Sequence, residues 1–235
     1  MRAILLAAGK GTRISRMIEA IPKCTLPING VPLIRRTVNL LAEYGIKSVV
    51  CVGYQKEKVY EALEGVECSF VFNPFYSVTN SIASMWFARD YLDGDVLIMN
   101  ADVYVSRSIL ELIMKNREKV VMAIDKTRIA EGDYFFKITD NGSITKYGKG
   151  LPIEDRSCEY VGVSKMQSDF VKVFSNRLIE MIDKGEFDNW WEDVLYSLTE
   201  TYDINTIDVE NNFWSEIDYF DDYERILKHI ERKDK

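Results

Sequence analysis

Residues 1–13 read MRAILLAAGKGTR, and the fold turns on how that run is interpreted. RAILLA (2–7) is continuous and apolar, the pattern of a strand buried on both faces. Bulk then disappears at Ala7, Ala8, Gly9 and Gly11, while Lys10, Thr12 and Arg13 add donors and positive charge. A strand running into a glycine-rich turn exposes successive backbone N–H groups, and glycine lets a phosphate approach closely. Two named phosphate loops fail at this position. The Walker pattern is absent, and the dinucleotide fingerprint G-x-G-x-x-G has Ile14 in place of its third glycine.

Outward from that turn, strand-like and helical segments alternate, as in repeated βαβ units. Helical periodicity marks 32–45, a strand 48–53, a helix near 55–64, a strand 69–74 and a helix near 80–92. DVLIMNAD (95–102) is the strongest buried-strand candidate. Beyond a helix at 106–116, strands are expected at 119–125 and 134–139, a hairpin turn at DNG (140–142) into SITKYG, and a strand at 159–166. Helices follow at 168–184 and 191–200, a short strand at 204–209 and a helix near 220–232. The expected class is α/β, a Rossmann-like three-layer fold with a mostly parallel mixed sheet. No linker interrupts the chain, so 1–235 reads as one domain, with halves at about 1–118 and about 119–235.

The net charge of −7 disfavours nucleic acid, whose phosphate backbone needs a concentrated basic face. No run approaches the ~20 apolar residues of a membrane span, and four dispersed cysteines read as free thiols, so a cytoplasmic protein without membrane insertion is expected. His229 is the one histidine and lies in the last helix, which excludes a histidine-dependent triad.

A second segment, PKCTLPINGVPLI (22–34), completes the pattern begun by the first turn. Together they resemble the signature of nucleotidyltransferases that couple a nucleoside triphosphate to a phosphorylated small molecule. Within that family the chain is most similar to bacterial phosphocholine cytidylyltransferases, through VFNPFYSVTNSIASMWFA (71–88), GEFDNWWEDVL (185–195) and SEIDYFDDYERI (215–226). The resemblance implies that Ala7, Ala8, Gly9, Lys10, Gly11, Thr12 and Arg13 surround the triphosphate, with Asn80 and Ser84 at the base. Arg13 would grip the terminal phosphates in bidentate fashion and Lys23 would reach the reacting phosphate, which makes these two the catalytic candidates. It assigns Mg²⁺ to Asp102 and Asp218, two oxygen donors suited to a hard ion, with Glu216, Asp221 and Asp222 as neighbouring alternatives.

CTP is the implied nucleotide, with UTP and dTTP as competitors. The acceptor is a small phosphorylated molecule, phosphocholine first, then phosphoethanolamine, 2-aminoethylphosphonate or a sugar 1-phosphate. A catalytically silent nucleotide-binding subunit is the remote alternative. A quaternary ammonium offers no hydrogen bond donor, so aromatic faces and carboxylates must hold it; Tyr134, Trp190, Trp191 and Glu216 are the candidates. Adjacent helical residues differ by about 100° around the axis, so at most one of the two tryptophans can face the pocket squarely. Phe213, Trp214, Tyr219 and Phe220 offer a surface for a possible homodimer, or else pack inside.

Overall fold

The computed structural model describes residues 1–10 and 21–233. In chain order the strands are β1 (Arg2–Ala7), β2 (Pro27–Ile28), β3 (Val31–Pro32), β4 (Lys47–Val52), β5 (Ser69–Phe72), β6 (Val96–Asn100), β7 (Val103–Val105), β8 (Val120–Asp125), β9 (Phe135–Ile138), β10 (Ile144–Gly148), β11 (Cys158–Met166), β12 (Asn205–Asp208) and β13 (Trp214–Glu216). The helices are α1 (Leu33–Glu43), α2 (Lys56–Ala62), α3 (Ser81–Phe87), α4 (Arg107–Lys115), α5 (Ser168–Asp183), α6 (Glu192–Tyr196) and α7 (Phe220–Lys233).

β1 lies between β4 and β6, parallel to both, and β5 extends the parallel set beyond β4. The chain moves from β1 outward through β4 to β5, then returns to the other side of β1 as β6. That reversal is a topological switch point, and open α/β sheets bind ligands beyond the carboxyl ends of the strands at such a point. β11 runs antiparallel to β6, β8 and β9, with β10 and β12 completing the sheet. Only β10 and β11 oppose the common strand direction within this sheet.

Strand alternation separates two cores. Ile4, Val49, Cys51, Val96 and Ile98 face α3, α5 and α6, whereas Ala3, Leu5, Val50, Val52, Leu97 and Met99 face α1, α2 and α4. This is the expected three-layer arrangement, because each β residue points to the opposite face from its neighbour. A third cluster joins Leu26, Ile28 and Leu33 to Ile217, Ile226 and Ile230. It docks α7 onto the β2–β3 hairpin and so brings the 22–34 segment against the 215–226 segment.

Most expected elements are present. The helix expected at 80–92 divides into α3 and a 3₁₀ turn at Arg89–Tyr91. The one expected at 191–200 is shorter, because the Ser197 and Thr199 hydroxyls donate to the carbonyls of Val194 and Tyr196, and side chains that bond locally to the backbone compete with the helix. β2, β3, β7 and β13 were not expected; each has two or three residues, too few for a period to register. Phe213 stacks on His229 and Trp214 is buried, so both serve the interior rather than an open surface.

The end of β4 meets the first turn at close quarters. Tyr54 N–H donates to Ala8 O at 3.0 Å. A Cβ built on Gly53 would stand 2.6 Å from Tyr76 Cβ and 2.7 Å from Ala8 O. Gly53→Ala is therefore expected to destabilise the protein by about 1–3 kcal/mol, as overpacking does, whereas Gly150→Ala, where nothing lies within 4 Å, should be near neutral. Urea melts of the two variants check this; equal midpoints would contradict it.

Candidate functional site

A cavity of ≈ 460 Å³ opens at the carboxyl ends of β1 and β6. Ala8, Gly9, Asn80 and Ser84 line one part, Lys23, Asp102 and Asp218 the floor, and Tyr134 and Trp190 the far wall.

The floor is built by a short ladder. β7 and β13 pair antiparallel with Glu216 opposite Val103, and Ile217 N–H donates to Asp102 O at 3.0 Å. That register sets Asp218 beside Asp102 although they are far apart in sequence. Ile217, between Glu216 and Asp218, is fully buried in the third core cluster; burying an isoleucine favours the fold by about 1.5–3 kcal/mol. Asp218 N–H and Tyr219 N–H both donate to the Asp222 carboxylate, fixing the bend before α7.

Lys23 enters from a single 3₁₀ turn, Lys23–Thr25, closed by Thr25 N–H and Oγ1 both donating to Pro22 O at 2.8 Å. Its Nζ lies 2.5 Å from Asp218 Oδ1 and 3.5 Å from Asp102 Oδ2. Burial alone would lower the Lys23 pKa; Asp102 and Asp218 outweigh it and the net direction is upward. Burial raises Asp102, with Lys23 opposing and Asp218 reinforcing. Burial together with these two carboxylates carries Glu216 well above the ordinary glutamate range. One ammonium therefore faces more carboxylates than it can neutralise.

Above the floor, Asn100 Oδ1 accepts from Trp191 Nε1 at 3.0 Å, and its Nδ2 donates to Glu192 Oε1 at 3.2 Å. Trp191 is fully buried and does not line the cavity, which corrects its expected role in acceptor binding. Both tryptophans precede α6, and the turn there places Trp190 on the cavity and Trp191 in the core. Trp191 instead braces Asn100. Tyr134 meets Trp190 edge to face at 6.0 Å and stacks on Tyr196 at 5.3 Å.

The other expected positions divide. Asn80 caps α3, accepting from Ser81 N–H at 2.8 Å, and lines the cavity as well. Ser84 is buried and accepts from Asn73 Nδ2 at 3.0 Å. Ala7 borders a smaller neighbouring cavity with Cys24, and Lys10 stands exposed outside both. Glu216 lines the floor rather than the far wall's aromatic part. Gly11, Thr12 and Arg13 lie outside the described residues. Asn100, Lys149, Glu159 and Tyr160 also line the cavity and were missed. Asn100 carried a signal, being a polar residue that ends an apolar strand two places before Asp102.

The profile of the MobA-like NTP transferase domain matches residues 3–184. The chain belongs to that family. As a member of the MobA-like NTP transferase family it is a nucleotidyltransferase, and its cavity sits at the carboxyl ends of the parallel strands β1 and β6. It is 29% identical to a choline-phosphate cytidylyltransferase of Streptococcus pneumoniae, over 97% of this chain and 99% of that one. It is 31% identical to a CMP-5'-(3-aminopropyl)phosphonate synthase of Streptomyces rubellomurinus over 63% of this chain, spanning about a quarter (24%) of that longer protein. Its fold resembles the solved structure of the CTP:phosphocholine cytidylyltransferase of S. pneumoniae with a TM-score of 0.80 at 22% identity, covering 97% of this chain and 98% of that one. Among the described residues no helix is long and apolar enough to cross a membrane.

Glu192 gives a test of the site's electrostatics. Burial raises its carboxyl to about 8, against the opposing effects of a backbone N–H and Asn100. The folded protein then holds this proton more tightly than the unfolded chain. Its favourable contribution is complete below the ordinary glutamate range, near 4.5, and is lost as pH rises through about 8. Glu192→Gln should flatten the fall in stability across that window and be the more stable protein at pH 9, by roughly 1–2 kcal/mol. Thermal melts of ligand-free protein from pH 5 to 9 check it; parallel curves for the two proteins would refute a neutral Glu192.

Proposed function

We propose that the protein is a Mg²⁺-dependent cytidylyltransferase that couples CTP to a small phosphorylated acceptor with a cationic head group, phosphocholine in the first instance, giving CDP-choline and pyrophosphate. The observation that carries this reading is one cavity with the Lys23–Asp102–Asp218 cluster at its floor and the Tyr134–Trp190 wall at its far end. The names of the relatives support cytidylyl transfer. Residues of about 1–118 supply the nucleotide side and the floor's Asp102, and those of about 119–235 the acceptor side and Asp218.

The donor set suits the metal. Asp102 and Asp218 offer hard oxygen ligands, and the gap between them already accepts a cation, the Lys23 ammonium. Two carboxylates with phosphates and waters make up a typical Mg²⁺ shell. When bound, the ion supplies charge neutralisation at the reacting phosphates. An ionised oxygen of the acceptor phosphate forms the new bond to the α-phosphorus, and the bond from that phosphorus to the bridging oxygen of the β-phosphate breaks, so pyrophosphate carries away the electron pair. The nucleophile is ionised near neutral pH, so no general base is needed and alignment with charge stabilisation does the work. Lys23 donates to the phosphate on which charge develops. Ala8 and Gly9 leave room for the nucleotide, with Asn80 and Ser84 beside the pyrimidine.

A primary ammonium is the second reading, an acceptor such as 2-aminoethylphosphonate or phosphoethanolamine. The Asp133 carboxylate at the far wall favours it, since it accepts hydrogen bonds that a quaternary group cannot donate.

Pyrophosphate release should be measured with CTP, UTP and dTTP against phosphocholine, phosphoethanolamine, 2-aminoethylphosphonate and sugar 1-phosphates, with Mg²⁺ and with a chelator. The expected result is one CTP row dominated by phosphocholine and abolished by chelation. A dominant sugar phosphate would overturn the acceptor assignment, and inactivity throughout with nucleotide bound would favour a silent subunit. Lys23→Ala should lower kcat by roughly 10²–10³-fold while remaining folded; full activity in a folded variant would remove Lys23 from the mechanism.

A further inference from the structure

Lys149 occupies a position that the proposed function leaves unexplained. Its Nζ stands 4.9 Å from the centroid of the Trp190 ring, within the ~6 Å reach of a cation–π contact. It also lies 2.6 Å from Asp133 Oδ2. An aromatic face and a carboxylate are the two features that recognise an organic ammonium, and here an ammonium of the chain itself engages both. Lys149 and Asp133 line the same cavity as Trp190.

The wall is braced by its neighbours, whereas the cation is exposed. Trp190 N–H donates to Asp193 Oδ2 at 2.7 Å, and the Trp190 ring meets Tyr134, which is itself stacked on Tyr196. Lys149 instead follows β10 between Gly148 and Gly150, and at neither glycine would a Cβ touch anything within 4 Å. Gly148 ends the ladder opposite Phe135 at a φ of +142°, a conformation that favours glycine, and the chain leaves the sheet there, so Lys149 stands on a connection rather than in a strand. The ion pair with Asp133 is exposed, at 38% and 44% for the two side chains, and exposed pairs of this kind hold weakly. Two ammonium groups repel each other at contact distance, so an incoming one must displace the first.

We propose that Lys149 is an internal occupant of the ammonium subsite, displaced from Trp190 and Asp133 by the acceptor's head group, and that it thereby sets acceptor affinity and selects for strongly cationic acceptors. This rests on the reading that the acceptor is cationic. Lys149 is a specificity-determining residue here, since it competes with the substrate and touches no reacting atom.

The test uses tetramethylammonium chloride as probe on the full, ligand-free chain at constant ionic strength, followed by tryptophan fluorescence, with Trp190→Phe identifying the responding ring. Lys149→Met and Lys149→Gln remove the competing charge; Lys149→Arg keeps it. Both neutral variants are expected to bind the probe roughly three- to thirtyfold more tightly than the wild type, the span of one cation–π contact, with Lys149→Arg near the wild type. In turnover, KM for phosphocholine should fall by a similar factor in the neutral variants, and by more than kcat changes. Equal or weaker probe binding in both neutral variants, or no binding to any of the proteins, overturns the proposal. A rise in KM does so too, because it would mean that Lys149 holds the acceptor. Failure of the wild type to use any cationic acceptor would instead defeat the proposed function, while the probe titration still decides the part played by Lys149.

Discussion

The pairing of two three-residue strands holds the site together. β7 and β13 share few hydrogen bonds, yet their register, continued by Ile217 N–H to Asp102 O, makes two distant carboxylates neighbours. Without it Asp102 would stand in the turn after β6 with no acidic partner and Lys23 would face one carboxylate rather than two. The ladder is too short to persist alone, because the cost of ordering so few residues exceeds the return from their hydrogen bonds. The buried side of Ile217, the apolar residues of α7 and the β2–β3 hairpin supply what is missing. Packing remote from the cavity is thus converted into the placement of charge at its floor.

Electrostatic imbalance is the second constraint. Lys23 is held charged by Asp102 and Asp218, but Glu216 and Glu192 lie close enough, and deep enough, that burial drives both toward the neutral form. A cavity prepared in this way favours positive charge arriving with its ligands. Asn100 links this region to the core, since the same side chain touches Glu192 and the buried indole of Trp191.

Much of this was legible in the sequence, for identifiable reasons. The parallel strands are long apolar runs, and Asp102 announces itself as the acid at the end of one. Lys23 and Asp218 stand in segments whose resemblance to a family names them. The β7–β13 ladder was not legible, because a three-residue strand has no period and its partner lies far along the chain. The division of labour between Trp190 and Trp191 was visible only as an exclusion, with the turn at 189–191 deciding which ring faces inward. Lys149 was invisible: its setting depends on Asp133, Trp190 and two glycines drawn from three separate segments.

The floor and the far wall are made of different material. Asp102 and Asp218 lie in short turns tied together by the β7–β13 ladder and the core beneath it, whereas Asp133, Lys149 and Trp190 sit on longer connections between elements. Such connections accept sequence change far more readily than buried strands do. The charged cluster is therefore tied to packed cores, while the aromatic wall can be rewritten at a few loop positions without disturbing them, which makes the two ends of the cavity separable modules.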